Sequence, residues 1–182
     1  MFKVLEIIKQ IENTSGRNDK EAILLANKDN ELFKDVLKFV YCDLITTGLS
    51  AKKIKKSLPT TEYVIEDMME YLKNNNTGSD MDIQIIQRHI ADQPVELREL
   101  YTQIATKNLK IGITKSTINK MYANEDGTPF IEDFKVMLAS KYQDHEDKVK
   151  DFLVSTKLDG IRCVMQKENG NITFRTRQGK VM

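Results

Sequence analysis

Asn124-Glu125-Asp126-Gly127-Thr128-Pro129 marks the place where the hydrophobic rhythm of this 182-residue chain changes. Glycine, proline and side chains able to bond their own backbone crowd together here, a composition suited to a turn and to a domain boundary. Before it, apolar residues recur at helical spacing; after it, they alternate. The expected fold class is therefore α+β, with an all-helical module over residues 1–129 and the first strands of a second domain over residues 130–182.

On the N-terminal side, Val4, Ile7, Ile8 and Ile11 fall at i, i+3, i+4 and i+7 and form one stripe of a first helix that ends before Ser15-Gly16. Asp19 reads as the cap of a second helix carrying Ala22, Ile23, Leu24 and Ala26. Asn30 reads as the cap of a third, carrying Phe33, Val36, Leu37 and Val40. Ser50 opens a lysine-rich segment that Pro59 ends. Thr61 is read as leading into a helix through Tyr63, Val64, Ile65, Met68, Met69 and Leu72, which stops at the polar run 74–78. Ile83, Ile86 and Ile90 continue the pattern, followed after Pro94 by Leu97, Leu100, Tyr101 and Ile104. One more helix is expected to start near Ser116.

On the C-terminal side, residues 152–156 and 161–166 read as strands. Asn169-Gly170 ahead of Ile172-Thr173-Phe174-Arg175 is a hairpin signal, because both turn residues accept the positive φ of a type I′ turn.

Charged residues make up 30% of the chain but sum to only +1, so attraction for nucleic acid has to come from local patches. Lys3, Glu6, Lys9 and Glu12 interrupt the N-terminal apolar residues, which excludes a signal peptide or membrane span there and leads to the expectation of a cytoplasmic protein without a membrane partner. Cys42 and Cys163 lie far apart in apolar surroundings and are expected to be reduced, partly buried thiols. His89 and His145 lack Cys or His partners at ligand spacing; both read as helix-surface residues, and no metal-ligating residue is assigned.

Lys157-Leu158-Asp159-Gly160-Ile161-Arg162 collects a potential nucleophile, an acid, a glycine and a fixed cation within six residues. A lysine amine attacks phosphorus only when unprotonated, which requires desolvation or a neighbouring cation such as Arg162. Taken by itself the segment reads either as a loop presenting Lys157 and Arg162 to one ligand or as an Asp-Gly turn with solvated charges.

Upstream, residues 100–124 contain no acidic side chain but include Lys107, Lys110, Lys115 and Lys120. Within them, residues 108–116 combine lysines and hydroxyls with Gly112, which permits close backbone approach. These are the parts of a phosphate-binding turn, or alternatively of a helix joint with solvated lysines. Lys52, Lys53, Lys55 and Lys56 read as a solubilising face.

The Lys157–Arg162 pattern, KxDGxR, resembles the adenylation motif of the covalent nucleotidyltransferases, which comprise ATP-dependent DNA ligases, RNA ligases and mRNA capping enzymes. Thr176-Arg177-Gln178-Gly179 is similar to a second ligase motif. Leu109-Lys110-Ile111-Gly112 resembles the Leu-Arg/Lys-Ile-Gly signature of the ligases' helical DNA-binding domain, and Met137-Leu138-Ala139 with Lys141-Tyr142 resembles the opening of their nucleotidyltransferase domain. The chain as a whole most resembles the N-terminal portion of a phage-like ATP-dependent DNA ligase.

That resemblance implies a DNA-binding domain over 1–129 and an incomplete nucleotidyltransferase (adenylation) domain over 130–182. It implies nick sealing through a lysyl-AMP intermediate on Lys157, with Asp159 assisting catalysis. Lys157, Arg162 and Arg177 would bind the nucleotide, with the nick 5′-phosphate as the alternative contact of Arg177. Lys107, Lys110, Gly112, Thr114, Lys115 and Ser116 would grip DNA. ATP and Mg2+ are the implied cofactors, nicked duplex DNA the partner, a monomer the expected state, and replication, repair and recombination the setting. Ser155 stands where many relatives carry Glu or Gln, which leaves the adenine contact undefined.

The family's later motifs and OB domain do not occur in these residues. The chain is therefore expected to be a truncated form, the product of a disrupted gene or half of a split enzyme, and inactive alone. The alternatives are a non-catalytic DNA-binding fragment and an RNA ligase or capping-type nucleotidyltransferase.

Overall fold

The stripe Val4, Ile7, Ile8 and Ile11 is buried on α1 (Phe2–Glu12), as its spacing requires. The structure, a computed structural model, describes residues 1–134, 136, 140–148, 150–156, 159–177, 179 and 181–182. The chain divides into two units, Met1–Asp133 and Phe134–Met182.

In the first unit α1 is followed by α2 (Arg17–Ala26), α3 (Glu31–Tyr41), α4 (Ala51–Ile54), α5 (Met68–Asn74), α6 (Asp80–Ala91), α7 (Val95–Ala105) and α8 (Lys115–Met121). Side-chain caps fix most of the starts. Asn30 accepts from the Phe33 amide at 3.1 Å, Ser50 from the Lys53 amide at 3.3 Å, and Ser79 with Asp82 forms a reciprocal capping box. α7 packs against α1, α3, α5 and α6, while α8 packs on α2. Phe33, Leu37, Leu72, Ile86, Leu100 and Ile104 are fully buried at the centre of this arrangement.

Several local expectations give way to the structure. α2 begins after Gly16, and Asp19 sits in its first turn, where its carboxylate occupies the space that a side chain at residue 16 would take. The helix expected from Thr61 begins only at Met68. Asp67 caps it, accepting from the Met69 and Glu70 amides at 2.8 and 3.0 Å, whereas Tyr63 and Val64 are exposed and have no core to face. His89 is not a surface residue. It is buried, meets Tyr101 edge-to-face at 5.4 Å, and donates from Nδ1 to the Ile65 carbonyl at 3.2 Å.

The turn at 124–129 is bonded to itself: Asp126 accepts from the backbone amide and hydroxyl of Thr128 at 2.9 and 2.6 Å. It folds the chain back onto the helices. Asn119 then holds the backbone of Ile131 at both its amide (2.7 Å) and its carbonyl (3.0 Å), and Phe130 stacks on Tyr122 at 5.1 Å under the Lys38 ammonium. The first unit consequently runs past Pro129 to Asp133.

The second unit contains a short 3-10 turn (Tyr142–Asp144) and an antiparallel hairpin of β1 (Cys163–Glu168) and β2 (Asn171–Thr176). Asn169 and Gly170 both have positive φ, 48° and 83°, as the type I′ turn demands. Residues 152–156, expected as a strand, make no ladder: Phe152, Leu153 and Val154 are exposed, and an apolar strand without a partner or cover gains nothing from extension. Cys163, expected to be partly buried, is also exposed at the start of β1. Among the described residues no helix is long and apolar enough to cross a membrane.

Candidate functional site

The lysine-bearing turn starts where α7 stops. Lys107 adopts a left-handed φ of 54° and so ends the helix in the place that glycine or asparagine usually takes, and the Asn108 amide closes the turn on the Gln103 carbonyl at 2.8 Å. Its side chain points inward. The ammonium donates to the Cys42 carbonyl at 2.5 Å and to the Ile45 carbonyl, tying the α3 exit loop to the turn. Burial holds this amine below its ordinary pKa, against the opposing pull of Cys42 and Asp43.

Beyond Lys107 burial alternates along the chain, and that alternation decides what faces out. Leu109, Ile111 and Ile113 are buried, while Lys110, Gly112 and Thr114 are exposed between them. Gly112 has φ +63°, and a Cβ there would stand 2.9 Å from the Lys20 ammonium, which donates to the Ile111 carbonyl at 2.7 Å. Thr114 caps α8 by accepting from the Thr117 amide at 3.3 Å, and Ser116 is exposed in the first turn of that helix.

Lys115, the first residue of α8, does not face open solvent. It pairs with Asp133 at 2.7 Å and with Asp43. Burial lowers its pKa, but the two carboxylates outweigh burial and raise it overall. Lys120 lies 3.6 Å from Glu21.

Of the residues expected at DNA, then, Lys110, Gly112, Thr114 and Ser116 are exposed, while Lys107 and Lys115 bind protein oxygens. Alongside them opens a cleft of about 450 Å³, lined by Ser15, Arg17 and Lys20 and by residues of the 112–117 turn. Ser15, Arg17 and Lys20 were not foreseen, because nothing in the local spacing of either segment links residues so far apart in the chain.

In the second unit, Lys157 and Leu158 lie outside the described residues, as do Gln178 and Met137-Leu138-Ala139 of the other quoted segments. Asp159 and Arg162 are exposed just before β1, and Arg177 is exposed just after β2. Cys163 pairs with Thr176 in the hairpin register, so Arg162 and Arg177, one residue beyond each, leave the sheet at the same end. Arg175 fixes this end: it donates to Gln166 across the strands at 3.0 Å and to the Gly179 carbonyl at 2.9 Å. The register therefore brings Arg162 and Arg177 to one end of the hairpin. Among the described residues, no group of three or more His, Cys, Asp or Glu side chains is placed to hold a metal ion.

No family model matches the chain. It is 25% identical over 173 residues to the DNA ligase of Enterobacteria phage T4, and to the same degree to that of Enterobacteria phage T6. The chain resembles the N-terminal portion of a DNA ligase. The match takes in 88% of this chain and 34% of each ligase, so the chain spans about a third of the length of these relatives. Two solved structures, titled Pmar-Lig_PreS3 and Pmar-Lig_Pre, share its fold over 98% of its length, with TM-scores of 0.56 and 0.57 at 21% and 23% identity. They are covered to 43% and 42% of their own chains.

Proposed function

We propose that this chain is the N-terminal portion of an ATP-dependent DNA ligase that seals nicks in duplex DNA. The observation that carries this is the similarity to phage DNA ligases across 88% of the chain, combined with the KxDGxR motif at residues 157–162. The helical unit serves as the DNA-binding domain, and the hairpin unit begins the nucleotidyltransferase domain. The Lys157 amine attacks the α-phosphorus of ATP and expels pyrophosphate, giving lysyl-AMP; AMP passes to the nick 5′-phosphate, and the 3′-hydroxyl then displaces it. Arg162 and Arg177 hold phosphate oxygens, and Asp159 helps to position the reacting groups.

DNA is held along the exposed edge at Lys110, Gly112, Thr114 and Ser116. Magnesium would screen the phosphate charge, but the described residues offer no carboxylate cluster to hold it, and no step is assigned to it.

In these 182 residues the chemistry is not expected to run. Residues 152–156 before the lysine motif and 159–162 within it are exposed, whereas a lysine amine becomes nucleophilic only when it is desolvated or set beside a cation. The second reading, a DNA-binding fragment without catalysis, draws on the same exposure. Incubation with labelled ATP and magnesium tests this: the expected outcome is no AMP adduct on this chain, and a Lys157-dependent adduct would overturn both the expected inactivity and the non-catalytic reading. Nicked-duplex binding is expected in either case, and its absence would overturn both.

A further inference from the structure

The cleft beside the DNA-binding turn is built from two segments nearly a hundred residues apart, and its chemistry is that of a phosphate seat. One wall is the exposed side of 112–117, with the Thr114, Ser116 and Thr117 hydroxyls and the side-chain-free Gly112; the other is Ser15, Arg17 and Lys20. Lys20 already bonds the Ile111 carbonyl across the cleft at 2.7 Å, so the two walls are held in register. Arg17 is largely exposed. Its Nε is engaged by Glu21 at 2.9 Å, and Glu21 in turn lies near Lys120, so one carboxylate stands beside two cations. Among the described residues no carboxylate lines the cleft, and that of Asp19 is folded against Gly16.

We propose that this cleft receives a backbone phosphate of the bound DNA, with Arg17 and Lys20 as its cations and Ser15 with the 114–117 hydroxyls as its neutral donors. The inference rests on the DNA-binding role proposed above and extends it to the α1–α2 junction. One phosphate in the cleft and a second at Lys110 would fix the orientation of the helical unit on the duplex, since two contacts on one strand define a direction that one contact cannot.

The test uses the 182-residue chain, a nicked duplex and a salt series, with Arg17→Ala and Ser15→Glu as variants and helicity checked by circular dichroism. Ser15 lies before α2 and outside the core, so the second variant places a carboxylate at the cleft without removing a fold contact. Both variants are expected to bind more weakly, and Arg17→Ala to lower the slope of log K against log salt by about 0.9, the share of one phosphate contact. Inorganic phosphate at millimolar concentration is expected to compete with DNA in the parent more than in Arg17→Ala. Parent-like affinity and slope in both variants would overturn the cleft assignment while leaving the DNA-binding role intact. Failure of the parent itself to bind would overturn that role instead.

Discussion

The two units differ in what they do with their apolar residues. The helical unit closes around Phe33, Leu37, Leu100 and Ile104, and even the returning segment at Phe130 and Ile131 is drawn into that core. The hairpin unit leaves Leu153 fully exposed, and it presents Met165, Ile172 and Phe174 on the open face of its two strands. A DNA-binding surface can work from a closed unit, because phosphates are met from outside. An adenylation site needs enclosure, because its lysine has to be desolvated. The contrast therefore separates a closed unit from one whose described apolar residues are largely exposed.

The sharpest way to break this comparison is to remove one ring from each unit. Phe33→Ala is expected to cost about 3–5 kcal/mol in chemical unfolding, whereas Phe174→Ala, at 49% exposure, is expected to cost less than about 0.5 kcal/mol. Similar losses from both would mean that the hairpin has a core of its own.

A smaller effect is expected at Asp82, which accepts from Tyr71, Thr77 and the Ser79 amide at 3.0, 2.7 and 3.1 Å. Burial alone would raise its pKa, but these donors outweigh burial and hold it below the ordinary carboxylate value. A depressed carboxylate stabilises the fold above its unfolded pKa, and that contribution disappears as pH falls through the folded value. Asp82→Asn should thus lose about 1–3 kcal/mol at neutral pH, with the deficit shrinking below roughly pH 4. A pH-independent deficit would rule out this origin.

Within the lysine turn the same contrast, inward against outward, can be sharpened by paired substitutions. Lys107→Ala is expected to lower stability by about 1–3 kcal/mol, since it strands the Cys42 and Ile45 carbonyls. Lys110→Ala is expected to leave stability within about 0.5 kcal/mol and to flatten the salt dependence of nicked-duplex binding by about 0.9. A reversal of these two outcomes would reassign which lysine faces DNA.

Where a strong local signal acted alone, the sequence was legible. The α1 stripe, the Asn30 and Ser50 caps and the Asn169-Gly170 turn each need only a few adjacent residues, and each appears in the structure. What was missed depends on distant partners. Tyr63 and Val64 match a helical pattern, but it is Asp67 that supplies the cap and Met68 that reaches the core. Residues 152–156 carry strand-favouring side chains but pair with no strand among the described residues. The direction of Lys107 depends on two carbonyls more than sixty residues upstream, and the membership of Arg17 in the cleft depends on how α2 meets the 112–117 turn. One local signal was overlooked: the strict alternation of residues 109–114, which alone indicates that Lys110, Gly112 and Thr114 share an outward edge.

The pairing of Lys115 with Asp43 and Asp133 sets a cost on any other use of that ammonium. To meet a DNA phosphate it would first have to give up two ion pairs within the protein, so the exchange would add less to binding than the same contact made by the exposed Lys110.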